Sequence, residues 1–327
     1  MPTKQFDAAI ELSLDLMRTD AGIRFEVIAI LEELEKEIVG KIAAGNYTKW
    51  GKARVNKQLT EIRRSIADYY DRVSALAIES TGVVAEVTAK ATATALGVGT
   101  AVLPTETVLS TLASSVLVQG AAQAAWWSKQ SDDTAFKFAQ AVRQGIAGAE
   151  TNQQIIARVR RELDVSQRHA AALVQTSVQT IANEARQATF EANEDLIKGY
   201  RWITALDTKV CLLCAPRADV EWTVDHIPIN HGNAWAIPPI HFNDRCIIIA
   251  IIFDGPPGGQ RASVDGPVSA RTTFDGWLDR QSVSRQNEVL GVGRAKLYRD
   301  GKISLQDLID GTGRPLTTKQ LVAKHSG

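Results

Sequence analysis

The sequence predicts a mainly α protein with a small β element, and three observations carry that reading. Apolar residues near the start recur at helical spacing over two long stretches. Capped amphipathic patterns follow from residue 133. Two short strand-like runs, "YRWITALD" and "CIIIAIIF", flank the only three cysteines of the chain. Long N-terminal helices should therefore lead into a central helix-plus-antiparallel-hairpin domain pinned by a knuckle of three cysteines and one histidine, with a short-helix C-terminal tail.

Ile23, Val27, Ile30, Leu31, Leu34, Ile38 and Ile42 step by three and four, which places them on one face of a helix that Gly45 ends. Val55, Leu59, Ile62, Ile66, Tyr69, Val73 and Leu76 alternate gaps of four and three, the seven-residue rhythm of a lengthwise helix seam. That seam suits an intramolecular bundle better than an oligomeric coiled coil, because three heptads are near the lower limit for the latter. Residues 81–128 are then rich in Ala, Thr and Val, and the 22 residues from Thr107 to Ser128 carry no charge. Six Ser or Thr, two Gln and a Gly make this stretch a weak membrane span and a better buried or interface helix. Trp126 and Trp127 suit either a membrane interface or ordinary packing.

From Asp133, Phe138, Ala139, Val142 and Ile146 share a stripe that closes near Gly148. Thr151 and Gln154 form a capping-box start for the next helix. Ser166 is expected to cap a further one, which Lys198 and Gly199 end. "YRWITALD" reads as a strand, and the β-branched "CIIIAIIF" as a strand buried on both faces. "DGPPGGQRASVDGP" reads as a linker, followed by short helices started by Ser304 with Asp307 and Thr317 with Gln320. Three regions result: a helical, coiled-coil-like 1–130, a core at 131–255, and a linker with a short-helix domain at 256–327.

Lys plus Arg and Asp plus Glu both total 37 over 327 residues, which removes the bulk positive field of a protein that coats nucleic acid or acidic lipid. Residues 261–327 hold eleven Lys or Arg against seven Asp or Glu, enough for at most weak local DNA contact. The N-terminal "MPTKQFDAAIELSLDL" has acids inside its apolar run, so no secretory signal and a reducing cytoplasm are expected. A disulfide framework is not expected from three cysteines there.

Cys211 and Cys214 have the two-residue spacing that presents two sulfurs to one ion, and His241 with Cys246 supplies a second pair. Three thiolates and an imidazole complete a tetrahedron for structural zinc, clamping two strand ends across an intervening loop. With four protein ligands there is no open position for an activated water, which argues against metal-assisted hydrolysis. His226 or His231 compete with His241 as fourth ligand on sequence alone. A thioredoxin-like couple is disfavoured because "CLLCAPRADVEW" runs into proline. "VDHIPINHGN" looks like the start of an HNH endonuclease motif, but Asn243 is followed by Cys246 and an apolar run where a further metal ligand belongs.

"WITALDTKVCLLCAPRADVEW", a gap, and "PPIHFNDRCIIIAI" resemble the phage head morphogenesis domain of Mu protein F-like minor head proteins, with L-D-x-x-x-C-x-x-C and then P-P-x-H-x-N-x-R-C leading into a strand. The resemblance covers roughly residues 135–255, including "VSQRHAAALVQTSVQTIANEAR". Asp244 stands where the family usually has a cysteine, and "QTS" at 175–177 where Arg-Thr-Glu is common. The resemblance implies a minor virion protein of a tailed phage, made in the host cytoplasm and placed inside the capsid near the portal. Its expected partners are the portal and other head proteins, with self-association also open. The residues themselves show no catalytic grouping above chance, so an enzyme is not expected. Ejection with the DNA would make residues 107–128 a membrane-contacting element. The alternatives are an HNH-like nuclease and a membrane-active ejection protein.

Overall fold

The computed structural model describes residues 2–45, 50–97, 100–253 and 258–325, with the side chains of residues 2–10 outside the description. Four long helices form a bundle: α1 (Pro2–Ala44), α2 (Lys52–Ala95), α4 (Gln123–Ala147) and α5 (Asn152–Glu191), with the short α3 (Glu106–Ser115) on α2. Their inward apolar residues make one continuous core that runs from Leu12 to Ala182 and includes Ile38, Ile62, Phe138 and Val159. α1 and α5 run antiparallel. Asn152 near the start of α5 donates to the Ile42 carbonyl at 3.3 Å, and Arg160 meets Glu35 at 3.1 Å.

The seam on α2 differs from the predicted one after Ile66. Tyr70 and Ala77 are buried where Tyr69 and Leu76 were expected, and the stripe continues through Thr81, Val84, Thr88 and Thr92. The steps now run four, four, three, an eleven-residue rhythm that keeps the stripe on one side of a nearly straight helix. A strict seven-residue repeat would impose a left-handed supercoil, which a helix sharing its flank with α1, α4 and α5 does not follow. The Tyr70 hydroxyl lies 3.0 Å from Thr134 Oγ1, which donates to Ser166 Oγ at 3.0 Å, so a buried polar chain crosses three helices.

The uncharged stretch 107–128 is not one helix. α3 starts on the Thr105 cap, stops at Ser115, and a tight turn bridging Val118 and Ala121 leads into α4. Gln119 and Gly120 hold that turn in left-handed backbone conformations. Among the described residues no helix is long and apolar enough to cross a membrane. Both tryptophans are packing anchors: Trp127 is 1% exposed, and Trp126 donates to the Val118 carbonyl at 2.6 Å. α4 thus begins ten residues before the expected point. Ser166 caps nothing, because α5 runs through it and its hydroxyl donates back to the Glu162 carbonyl at 3.2 Å. The Thr151/Gln154 capping box is present as predicted.

After α5 and a turn at Glu194–Leu196 comes a four-stranded antiparallel sheet in the order β3-β2-β1-β4. Its strands are β1 (Gly199–Ile203), β2 (Glu221–Thr223), β3 (Pro228–Ile229) and β4 (Ile247–Ile251), with Tyr200 opposite Ala250 and Trp202 opposite Ile248. β4 is buried on both faces, as its β-branched run requires. One face joins Tyr200, Trp202, Trp222 and Ile248 to a second core, while Ile203, Ile247 and Ile249 form a separate cluster with Ala270. Gly199 begins β1 rather than ending a helix. A Cβ there would sit 2.4 Å from the Trp222 carbonyl oxygen, so the strand approach itself demands glycine. Gly199→Ala is expected to cost about 1–3 kcal/mol, read as a lower urea midpoint.

The expected linker contains a hairpin, β5 (Gln260–Ser263) and β6 (Gly266–Ser269), while its residues 254–257 lie outside the described residues. α6 (Phe274–Asp279), α7 (Val283–Leu290), α8 (Val292–Arg299) and α9 (Thr318–Lys324) complete the chain, and Phe274, Trp277, Leu308 and Leu321 pack into the core of the sheet. Both predicted capping boxes are formed, at Ser304/Asp307 and Thr317/Gln320. Asp307 accepts from the Ser304 backbone N–H and from Lys324 of α9, each at 2.9 Å. Burial pushes its carboxyl up, but these partners outweigh that and hold it at about 2. A carboxyl lowered by folding stabilises fully above its unfolded value and loses that contribution as pH falls through the folded one. The stability gap between wild type and Asp307→Asn should therefore be widest above about pH 5 and close toward about pH 2, as melting curves across that range would show.

Candidate metal centre

The knuckle is assembled from the two sequence pairs at one end of the sheet, beyond the paired ends of β1 and β4 where Ile203 lies opposite Ile247. After β1, the chain turns at Cys211–Cys214 and enters the one-turn helix Ala215–Arg217, whose proline fits its first turn. The Cys211 carbonyl accepts from the N–H groups of Cys214 and Ala215 at 3.1 and 2.9 Å, and Leu213 N–H points at Cys211 Sγ at 3.4 Å. This is the tight turn that a C-x-x-C pair needs to bring both sulfurs to one point. The second pair sits on the turn before β4. Asn243 holds it with φ 62°, a left-handed conformation that asparagine tolerates, and its N–H donates to Thr176 Oγ1 of α5 at 3.1 Å.

His241 Nε2 lies 3.0 Å from Cys211 Sγ and 3.2 Å from Cys214 Sγ. Cys211, Cys214 and His241 form one triad of donor atoms within 4.8 Å of one another, and Cys214, Asp244 and Cys246 form another. Cys214 belongs to both. Cys246 therefore enters through Cys214 and Asp244, at the buried end of the cluster. His226 and His231 stand elsewhere. The His226 ring is stacked on Trp235 at 4.1 Å, and His231 faces the Glu221 carbonyl at 2.7 Å while accepting from Asn233 N–H. Of the three candidate histidines, His241 is the one that stands beside the cysteines.

The donors suit a tetrahedral cation. Zinc with sulfur at about 2.3 Å and imidazole nitrogen at about 2.0 Å sets its S and N ligands roughly 3.5 Å apart, close to the separations around His241. His241 Nδ1 is 2.7 Å from the Phe242 carbonyl, an acceptor that fixes a proton on Nδ1, so Nε2 is the nitrogen that would give up its proton and coordinate a bound cation. A cavity of about 20 Å³ lies among Cys211, Cys214, His241, Asp244 and Cys246, room for one water-sized occupant. The four groups polarise one another unevenly. Hydrogen bonding from Cys214 and His241 draws Cys211 down to about 4 against its burial, while Cys211 lifts His241 to about 9. Cys214 is pushed upward by its bonds to Cys211 and Cys246, and burial raises Cys246 to about 11. A cation that takes thiolates would relieve this crowding by displacing the protons of Cys214 and Cys246.

The surrounding contacts explain other motif positions. Asp207 and Arg245 form a two-pronged ion pair at 2.7 and 2.8 Å, tying the stretch before Cys211 to the residue before Cys246. Burial raises the Asp207 carboxyl, but Arg245 and the Lys209 N–H more than offset it and hold it below its ordinary value. Asp244 accepts the N–H groups of Ile240 and Cys246, both at 2.9 Å, and approaches Cys214 Sγ at 3.6 Å. Asn183 of α5 donates to the Cys246 carbonyl at 3.2 Å. Residues 136–249, the segment made of the second half of α4, all of α5, most of the sheet and this knuckle, match the family model described as phage Mu protein F like protein. That segment is similar to the phage Mu protein F like family. The match spans about a third of the chain and supports a phage head morphogenesis protein and virion component. No curated protein and no solved structure gives a significant match.

Within the Mu F-like segment, sequence reasoning brought together the three cysteines and His241 but assigned no role to Asp207, Arg245, Asn183 or Thr176. The first two were signalled by lying inside the quoted L-D-x-x-x-C and N-x-R-C motifs, at positions facing each other across the knuckle. Asp244 was noted only as a departure from the family pattern. Its carboxylate now stands beside Cys214, where it closes the turn through two backbone N–H groups. Thr176, the middle residue of "QTS", keeps α5 attached to the knuckle turn through the Asn243 N–H.

Proposed function

We propose that the protein is a minor structural protein of a tailed-phage virion that acts in head morphogenesis beside the portal, inside the capsid, with zinc as a structural ion in the knuckle. The observation that carries this is the coincidence of the Mu F-like match with a cluster of three sulfurs and one imidazole that bolts β1 and β4 to α5. Four protein ligands make such an ion a fastener with no site for water activation, so the proposed role is non-catalytic. The long bundle beside it offers extended helical flanks for contact with other head proteins. Trp126 packs edge-on against Phe242 at 5.4 Å and Gln119 donates to the Pro239 carbonyl at 2.9 Å, so the knuckle turn is packed against the α3–α4 turn.

Co-expression with the portal protein and purification of the portal oligomer tests this reading. Stoichiometric retention of the chain, reduced when the knuckle is disrupted by Cys214→Ser, is the expected result. Failure to associate with the portal, or divalent-ion-dependent DNA cleavage that His226→Ala abolishes, would contradict it.

A further inference from the structure

Arg186 on α5 is 3% exposed and forms no ion pair among the described residues. Its Nη1 donates to Asn183 Oδ1 at 2.8 Å, and its Nη2 is buried without a partner. The other deeply buried arginine shows what compensation looks like. Arg261 meets Asp219 at 2.8 Å and donates to the carbonyls of Thr272 and Thr204. Among the described residues Arg186 has no such carboxylate. Burial lowers it only to about 10, so it keeps its charge at neutral pH.

Arg186 lines a cavity of about 20 Å³ set between α1, α2, α5 and β4, together with Leu12, Thr92, Leu96, Phe190 and Ile249. Thr92 carries a second buried polar atom without a partner, its Oγ1. A cation and a hydroxyl, both short of an acceptor, therefore border one small space. Burying a charge without a counter-charge is strongly unfavourable, whereas hydrogen bonds to an anion are among the stronger polar contacts. We infer that this cavity binds a single monatomic anion, chloride under ordinary conditions, held by Arg186 Nη2 and Thr92 Oγ1. The room beside Arg186 is about that of one water-sized particle, which favours a monatomic anion over phosphate, sulfate or carboxylates. A water molecule would satisfy an N–H group but leave the positive charge uncompensated.

Bromide serves as the probe. A crystal of the full chain grown in bromide should show an anomalous peak within hydrogen-bonding distance of Arg186 Nη2. Melting temperatures at constant ionic strength should also be a few degrees higher in chloride than in gluconate, since a ligand of the folded state alone stabilises it. Arg186→Met should erase that difference. An ordered water with no anomalous signal at this position, or equal melting temperatures of the wild type in both salts, would overturn the inference. Both wild-type measurements stand even if the variant fails to fold.

Discussion

Cys214→Ser is expected to empty the metal centre and to release the loop between β1 and β4 from its native arrangement. Cys214 is the donor shared by both triads, so its loss breaks each of them, whereas loss of Cys211 leaves Cys214, Asp244 and Cys246 together. A structural zinc contributes on the order of 10 kcal/mol apparent at neutral pH, as much as the whole stability of a domain. The hydroxyl that replaces the thiol is a poor ligand for zinc, and the buried sulfur of Cys246 then faces Asp244 with no cation between them. Metal content should fall from about one ion per chain to near zero. Backbone amides from Val210 to Cys246 should lose hydrogen-exchange protection, while the α1–α2 bundle keeps its own. His226→Ala, which removes a ring stacked on Trp235 away from the cluster, should leave the metal content unchanged.

Asp219→Ala is expected to be the most damaging single change outside the knuckle. Asp219 binds the buried guanidinium of Arg261, whose side chain is 1% exposed, and its other oxygen accepts the Phe274 N–H at 2.6 Å. One carboxylate thus ties the β5 hairpin and the start of α6 to the loop before β2. Removing it leaves an uncompensated buried charge, which costs about 3–5 kcal/mol. Urea unfolding should show the loss as a lower midpoint, and the double change Asp219→Asn with Arg261→Met should recover most of it, because no charge is stranded and asparagine keeps an acceptor for the Phe274 N–H at a left-handed position it tolerates. If the single and double variants unfold alike, the ion pair is not what holds the hairpin.

How much of this was legible in the sequence depended on the range of the interaction. Local signals were read well: Thr151 with Gln154, Thr317 with Gln320 and the stop at Gly45 concern groups a few residues apart. The isoleucine run of β4 announced a strand buried on both faces because its chemistry permits little else. The errors came where a distant partner decided the outcome. Ser166 has the chemistry of a cap, but α4 offers Thr134 as its partner, so α5 continues through it. Gly199 has the chemistry of a helix end, but the Trp222 carbonyl needs the space of its missing side chain. The shift from Tyr69 to Tyr70 on α2 follows from three neighbouring helices that no seven-residue template contains.

The clustering of the cysteines with His241 was legible for a different reason. Cysteine and histidine at two short spacings leave few other uses in a chain with only three cysteines. What spacing could not supply was the interior order of the cluster: Cys214 at its hub, Cys246 at its buried end and Asp244 beside both. Nor could it show that Asp207 and Arg245 brace the two halves from outside, since an ion pair across 38 residues has no periodic signature.

Metal analysis of the full chain, purified without chelators and followed by X-ray absorption at the zinc edge, tests the central claim most directly. About one zinc per chain, with a first coordination sphere of three sulfurs and one nitrogen, is the expected result. A chain that folds normally with no bound metal, or an ion surrounded by oxygen ligands, would contradict it.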